Sequence, residues 1–334
     1  MGRIPYDAFV HPADEPMVAV RRGGLVESVH RGRLAVCDAR GERLGSLGDP
    51  EGYVYLRSSA KPFQALPLVL SGAADAFGLA DEEISVACAS HNAEPHHLAA
   101  ARSILRKANL SEGDLQNGAH PPMHAPSAAR LARSGEPPRA IHGNCSGKHA
   151  GMLAVCVHAG WDPAGYRDPE GPLQEFVRDT VAKVCGVEPQ DVRLAGDGCG
   201  VPVFAMPLGN LALGFARLVA GGHEDLPDDL NGAMRRVRDA MRDHPYMVAG
   251  TGRFDTTLME ATGLVAKSGA EGVFACASPA GWGLALKIAD GASRAVAPAA
   301  LAALARRGVE VPPEMARFPV TDLRGEVVGE ITPF

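Results

Sequence analysis

The chain has 334 residues, of which 46% are hydrophobic and 22% charged, and its formal net charge is −6. This composition is ordinary for a globular protein with a full core, and charges of both signs are scattered without a Lys/Arg block, which argues against a nucleic-acid partner. No apolar run approaches the ~18 residues that a membrane span needs.

The N-terminus has no basic start followed by an apolar stretch, so we expect no secretion signal and a cytoplasmic protein. Seven cysteines, odd in number and widely spaced, argue against a disulfide framework.

Apolar runs at residues 17–20, 25–29 and 34–37, with turns between them, predict an antiparallel meander near the start of the chain. A polar turn over 45–52 leads to a strand over 53–56. Helical spacing of apolar residues then predicts helices over 61–70, 96–108, 147–159, 174–185, 208–219, 230–242 and 293–307. Residues 84–89 fit a buried strand or a buried helix, and 117–138, rich in Pro, His and Ser, fits a long loop.

Strands are predicted again over 263–269, 272–277 and 283–290. Strands that come early and late, with helices between them, favour an α+β fold in which helices flank an antiparallel sheet. We predict a single domain over residues 1–334, with a helical subregion at roughly 60–250.

The first candidate for chemistry is Ser58-Ser59-Ala60-Lys61, at the start of a predicted helix. Side chains three residues apart on a helix lie on one face, so the Ser58 hydroxyl and the Lys61 amine can meet. A lysine whose pKa is lowered by burial can remove the serine proton and create a nucleophile. The alternative is a capping serine beside a solvated lysine, because an isolated Ser-x-x-Lys is common by chance.

Two further motifs are each weak evidence for a catalytic site when taken alone. Together with Ser-x-x-Lys, however, they occur in the order found in penicillin-recognising enzymes, which combine Ser-x-x-Lys with Ser-Asp-Asn and Lys-Thr-Gly. They are Ser90-His91-Asn92, after an apolar segment, and Lys267-Ser268-Gly269, between two predicted strands. A charged Lys267 would lower the pKa of a neighbouring lysine, so that one lysine acts as base while the other stays charged. The alternative for Lys267 is a surface lysine in a hairpin turn, which its apolar flanks disfavour.

Cys145 and Cys199 lie in distinctive glycine-containing stretches. The first stretch opens a buried helix and resembles a phosphate loop only superficially, because His149 stands where Ser or Thr is required, so we reject nucleotide binding. The second, residues 196–200, predicts a tight, exposed turn that presents Asp197 and Cys199. With a histidine or lysine, the two cysteines could hold zinc; two unliganded cysteines are the equal alternative.

Six stretches together resemble the rhizobial-type, thermolabile L-asparaginases of the asparaginase II family. They are RSSAKPFQ at residues 57–64, ACASH at 87–91, NCSGKHAGM at 144–152, GDGCG at 196–200, MVAGTGR at 247–253 and AKSGAEG at 266–272. The resemblance implies a fold like that of serine β-lactamases and glutaminases. It also implies hydrolysis of L-asparagine to L-aspartate and ammonia, and a homodimer.

The resemblance also implies a role for individual side chains. The catalytic matches are two Ser–Lys pairs, first the nucleophile with its lysine and then a second pair: Ser58 with Lys61, and Ser90 with Lys267. A zinc site beside the substrate pocket, essential or modulatory, is matched by Cys145, Lys148 and Cys199. Positions expected to hold substrate are Arg57, His91 and Asp197. An arginine can grip the α-carboxylate and an aspartate the α-ammonium.

One departure from the family pattern is visible, since Ser-Gly-Glu is expected after Ser90-His91 and this chain has Asn92-Ala93-Glu94. The change can alter loop shape and substrate range. Two rival interpretations stay open: another amidase on the same fold, such as a glutaminase or a β-lactam-interacting enzyme, and a non-catalytic protein that binds zinc or an amino acid.

Overall fold

The structure is a computed structural model that describes residues 13–334. The N-terminal segment for which we predict no secretion signal lies largely outside the described residues. Within them no helix is both long and apolar enough to cross a membrane.

The described strands are β1 (Glu15–Arg22), β2 (Leu25–Asp38), β3 (Arg43–Leu47), β4 (Tyr53–Tyr55), β5 (Arg193–Gly196), β6 (Pro202–Pro207), β7 (Val265–Ser268), β8 (Val273–Ser278), β9 (Trp282–Ile288), β10 (Pro319–Thr321) and β11 (Val327–Pro333). The α-helices are α1 (Lys61–Gln64), α2 (Leu66–Leu70), α3 (Ala73–Ala76), α4 (Asp81–Ala87), α5 (Pro95–Lys107), α6 (Ala125–Ser134), α7 (Ser146–Ala159), α8 (Pro172–Cys185), α9 (Leu208–Ala220), α10 (Asp228–Asp243), α11 (Pro245–Val248), α12 (Phe254–Thr262) and α13 (Val296–Arg306).

The larger sheet is antiparallel throughout and has the order β10-β11-β1-β2-β9-β8-β7, with β3 paired to β2. Every residue of β8 is buried, and both α9 and α13 pack against β8 and β9. The predicted α+β fold, an antiparallel sheet flanked by helices, is therefore confirmed. Strand β7, which carries Lys267, lies at the end of this sheet.

Strand β2 corrects the predicted meander, because residues 25–38 form one strand instead of two. Its first part pairs with β1 and its second part with β9. Gly32, where we predicted a turn, continues the strand because a Cβ atom there would lie 2.1 Å from the Lys287 carbonyl oxygen. Gly32 therefore allows β2 and β9 to lie close together and does not form a turn.

A smaller sheet has the order β4-β6-β5. Strand β4 was predicted from the sequence, whereas β5 and β6 were not. The GDGCG stretch is the turn between β5 and β6, with Asp197 N–H donating to Val201 O and Gly200 N–H to Asp197 O. The tight turn was predicted correctly, but Cys199 in it is buried. After β4, Leu56 N–H donates to Phe204 O at 2.9 Å, which ties the chain entering residue 57 to β6.

Several other elements differ from prediction. Residues 84–89 belong mostly to helix α4, and the predicted loop over 117–138 contains helix α6. The polar turn over 45–52 overlaps β3, and β10 and β11 were not predicted. The predicted helix over 61–70 divides into α1 and α2 at Ala65, where Pro67 supplies no N–H to continue the first helix.

Candidate active site

Ser58 lies in a short 3-10 turn, Arg57–Ala60, that joins the small sheet to helix α1. Arg57 opens the turn with a φ of 50°, a left-handed conformation that is costly for a side chain with a Cβ atom. Ser59 is buried and donates to Leu56 O at 2.5 Å, whereas Ser58 is half-buried. The Ser58 hydroxyl makes no hydrogen bond to the rest of residues 13–334, so it is free to meet a ligand.

Lys61 connects three separate segments of the chain. Its side chain is 1% exposed, and Nζ donates to Ala89 O at 2.6 Å, Ser90 Oγ at 2.9 Å and Cys145 Sγ at 3.1 Å. The lysine of the first motif thus hydrogen bonds to the serine of the second motif. The pairing of Lys61 with Ser58 rests on their positions one turn apart and not on a direct hydrogen bond.

Lys267 is fully buried in β7, and its partner is a residue that the sequence analysis missed. Its Nζ contacts Asp255 Oδ2 at 3.3 Å and donates to Ser268 O at 2.9 Å. The Asp255 carboxylate also accepts from Ser268 N–H at 2.9 Å and from the Ser268 hydroxyl. No hydrogen bond joins Lys267 to Ser90 within the described residues, so their pairing stays a prediction.

The Lys267–Asp255 pair carries opposite charges in a dry environment. Burial, together with the Lys61 and Arg253 charges, lowers the pKa of Lys267 to about 8, although Asp255 opposes these effects. Burial alone would raise the pKa of Asp255, but Lys267 and the hydrogen bonds from Ser268 outweigh burial and lower it. Lys267 is therefore mostly charged at neutral pH, with a deprotonated carboxylate facing it.

His91 is fully buried behind Ser90, and both ring nitrogens have partners. Ala93 N–H donates to Nδ1 at 3.1 Å, so Nδ1 must be the acceptor and Nε2 carries the proton toward Ser146 Oγ, 2.9 Å away. Burial, with nearby positive charges, lowers the pKa of His91 well below its usual value. The neutral ring therefore connects the Ser90 segment to the start of α7 through hydrogen bonds. A contact between His91 and the substrate stays a prediction.

The two cysteines of the predicted metal site come together with Lys148. Lys148 Nζ lies 3.2 Å from Cys199 Sγ, and both side chains are buried. A hydrogen bond from Cys199 and the charges of Lys61 and Lys148 hold the pKa of Cys145 well below its usual value despite burial. Of the two cysteines, Cys145 therefore favours the thiolate form more strongly.

The sulfur atoms of Cys145 and Cys199 are donors that zinc prefers, and a neutral Lys148 amine would complete a three-ligand set that leaves a fourth position open. Among residues 13–334 no group of three or more His, Cys, Asp and Glu side chains could hold a metal, so the candidate set depends on the lysine. Burial would lower the pKa of Lys148, but both cysteines and Asp197 outweigh it and raise that pKa. Metal binding must therefore displace a proton from Lys148.

Arg57 and Asp197 form an ion pair between the chain that follows β4 and the turn that follows β5. Arg57 Nε lies 3.0 Å from Asp197 Oδ1, which also accepts from Gly198 N–H at 2.8 Å. The negative charge of Asp197 acts on Lys148, so this pair borders the predicted metal site. Two of the three predicted substrate-holding side chains are therefore already paired with one another.

Arg253 lies beside Ser90 and also contacts Asn92 and Met123, and none of these three was predicted as a site residue. Arg253 Nη1 donates to Asn92 Oδ1 at 3.1 Å and lies 3.5 Å from Ser90 O and 3.6 Å from the exposed Met123 Sδ. The available signal was the MVAGTGR stretch, which ends at Arg253 and is followed two residues later by Asp255. A groove of about 810 Å³ lies elsewhere, between α4, α5, α11 and α12, and includes His96 and Tyr246.

Comparisons with known proteins give one match along the sequence and several in three dimensions. The family described as L-asparaginase II matches residues 18–333. No curated protein matches the chain.

The solved structures that are similar to the described chain include three that represent the range of matches. The native form of Mglu is 16% identical with a TM-score of 0.46, and the match covers 83% of this chain and 63% of Mglu. A probable glutaminase from Bacillus subtilis complexed with 6-diazo-5-oxo-L-norleucine is 11% identical with a TM-score of 0.40, covering 84% of this chain and 85% of that one. A β-lactamase from Mycobacterium bovis is 15% identical with a TM-score of 0.37, covering 82% and 94%. The chain thus spans less than two thirds of the length of Mglu.

Proposed function

The chain belongs to the L-asparaginase II family, and we propose that within the amidohydrolase chemistry of that family it hydrolyses L-asparagine to L-aspartate and ammonia through a serine nucleophile. The observation that carries this proposal is the contact of Lys61 Nζ with Ser90 Oγ at 2.9 Å, one turn from the unpartnered Ser58 hydroxyl. Hydroxyl and amine groups in a buried cluster are the components of general acid–base catalysis at a serine.

Ser58 is the proposed nucleophile because its hydroxyl is half-buried and free of protein partners within the described residues. It attacks the side-chain amide carbon and passes its proton to Lys61, which takes part in this step as the neutral amine and so donates to at most two of its three hydrogen-bond neighbours. Its backbone N–H lies at the start of a helical turn, where N–H groups have no helical partner, so it can stabilise the oxyanion.

Ser90 and Lys267 complete the proposed reaction. Ser90 shares a proton with Lys61 and delivers it to the departing ammonia, after which water releases aspartate from Ser58. Lys267, held charged by Asp255, provides a fixed positive charge near the negative charge that develops in the transition state. Asp197, oriented by Arg57, is the proposed partner of the substrate α-ammonium.

A metal at Cys145, Lys148 and Cys199 would supply a positive charge that positions the substrate. The residues suited to hold it lie beside Lys61, which contacts Cys145 at 3.1 Å. We also propose that the protein is a homodimer, which light scattering after gel filtration tests directly.

The test is ammonia release from L-asparagine, with glutamine and a chromogenic β-lactam as competing substrates. Ser58→Ala should abolish turnover and keep the melting temperature. Ser59→Ala is the matched control, since it removes the neighbouring buried hydroxyl that bonds only to Leu56 O, and it should retain most activity. Turnover at the normal rate in the Ser58 variant would exclude that serine as nucleophile.

A further inference from the structure

Arg253 is a cation at the site that lacks a charged partner. It precedes helix α12 and is half-buried, and its Nη1 contacts only the neutral atoms Asn92 Oδ1, Ser90 O and Met123 Sδ. No carboxylate lies within 4 Å of its guanidinium among residues 13–334. Its charge nevertheless reaches Lys267, whose pKa it helps to lower. Arg253 thus faces the same cluster as the proposed proton relay.

The turn before Arg253 holds the side chain in place. Gly250 has a φ of 108°, and a Cβ atom there would lie 2.5 Å from Glu94 Oε1, so only glycine fits. The Glu94 carboxylate accepts from Thr251 N–H and Oγ1, both at 2.8 Å, and from Asn92 Nδ2 at 3.2 Å. Glu94 is therefore committed to the turn and does not neutralise Arg253.

We infer that Arg253 binds the α-carboxylate of the amino-acid substrate and that Asn92 orients its guanidinium, an inference that rests on the proposed function. Arginine offers a planar fork of N–H groups matched to a carboxylate. Only Nη1 of Arg253 has partners among the described residues, so Nη2 and Nε are available. Arg57, the alternative, already binds Asp197 through Nε at 3.0 Å.

The size of the substrate supports this position. Only Cα and Cβ separate the α-carboxylate of asparagine from its side-chain amide, so a carboxylate-binding cation must lie beside the proton relay. Arg253 meets this requirement through Ser90, whose carbonyl oxygen it approaches while the hydroxyl of the same residue contacts Lys61. The assignment also gives the departure at Asn92 a physical role, because Asn92 Oδ1 accepts directly from Arg253.

The experiment compares L-asparagine with β-alaninamide, which has the same amide and ammonium but no α-carboxylate. Arg253→Gln should lower kcat/KM for asparagine by roughly 10- to 100-fold, mainly through KM, and change the value for β-alaninamide by less than about 2-fold. Arg253→Lys, which keeps the charge, should lose less. Arg57→Gln should affect both substrates equally, and the matched control Arg238→Gln on α10, whose arginine pairs with Asp239, should affect neither.

Equal loss on both substrates in Arg253→Gln, or an asparagine-selective loss in Arg57→Gln, would overturn the assignment. Melting temperatures of all variants identify any that fail to fold. If the wild-type protein releases no ammonia from asparagine, the proposed function fails separately, and calorimetric binding then decides about Arg253. The assignment stands only if the wild type binds L-asparagine more tightly than β-alaninamide and Arg253→Gln removes the difference; no binding, or equal binding, rejects it.

Discussion

Replacing Asp255 with Asn removes the carboxylate that faces Lys267 and leaves the shape of the side chain almost unchanged. Asp255 is 1% exposed, Lys267 is fully buried, and their charged atoms lie 3.3 Å apart. Breaking a buried ion pair by removing one partner typically costs 3–5 kcal/mol, because the remaining charge is left unpaired. Lys267 keeps the Ser268 carbonyl and can release its proton, so we expect the free energy of unfolding to fall by about 3 kcal/mol at neutral pH.

The same substitution should move the pH dependence of turnover. The pKa of Lys267 is about 8, and Asp255 is the main influence that raises it, so losing Asp255 lowers the pKa further. Because the proposed reaction uses the charged form of Lys267, wild-type kcat/KM should fall as the pH rises through about 8. In Asp255→Asn this decline should occur at lower pH.

Urea unfolding and ammonia release measured across the pH range test both expectations. The control is Asp239→Asn, because Asp239 is half-exposed on α10 and pairs with the adjacent Arg238, so its loss should change stability by less than about 0.5 kcal/mol. A stability loss below about 1 kcal/mol together with an unshifted alkaline decline would show that Lys267 and Asp255 do not act as a buried ion pair.

Three further predictions concern the surroundings of the site. Ala93→Gly should raise the free energy of unfolding by about 0.5 kcal/mol, since Ala93 has a left-handed φ of 57° that glycine adopts without strain; a decrease in urea unfolding would contradict this. Gly250→Ala should lower it by more than about 2 kcal/mol and raise KM for asparagine, because the new Cβ atom would meet Glu94, and an unchanged KM would weaken the link to the turn. Cys145→Ser should reduce zinc retained after incubation and desalting, measured by elemental analysis, whereas Cys156→Ser, in the helix that begins directly after Cys145, should retain it; equal retention would place the metal elsewhere.

Features that depend on local spacing could be predicted from the sequence. The three-residue interval of Ser58 and Lys61, the strand–turn–strand around Lys267 and the periodicity of α7 to α10 all produce local structure at the expected places. Helical periodicity failed where a proline interrupts the ladder, as at Pro67. It also missed strands such as β5 and β11, in which few residues are buried and alternation is weak.

Pairings between distant segments could not be predicted from spacing. Asp255 lies 12 residues before Lys267, and nothing in the sequence distinguished it from any other acidic residue. Arg57 and Asp197 were assigned separate substrate contacts, whereas the structure pairs them across 140 residues. Which arginine lacks a carboxylate partner depends on where each carboxylate lies in three dimensions. The sequence therefore favoured Arg57 as the residue that binds the substrate carboxylate, and only the folded structure favours Arg253.

The balance of charge around the proposed nucleophile connects these pairings to the reaction. Two cations are matched by carboxylates, Arg57 by Asp197 and Lys267 by Asp255. Lys61 and Lys148 adjoin the two cysteines, of which Cys145 favours the thiolate, and Arg253 has no charged partner within the described residues. Positive charge is therefore in excess around this partly buried site, where electrostatic interactions are stronger than in bulk water. The amide of a neutral zwitterion acquires one negative charge when it becomes a tetrahedral intermediate, so the fixed charge of Lys267 stabilises the transition state more than the bound substrate, which is the condition for catalysis. Arg253, by contrast, meets a carboxylate that is charged in both states.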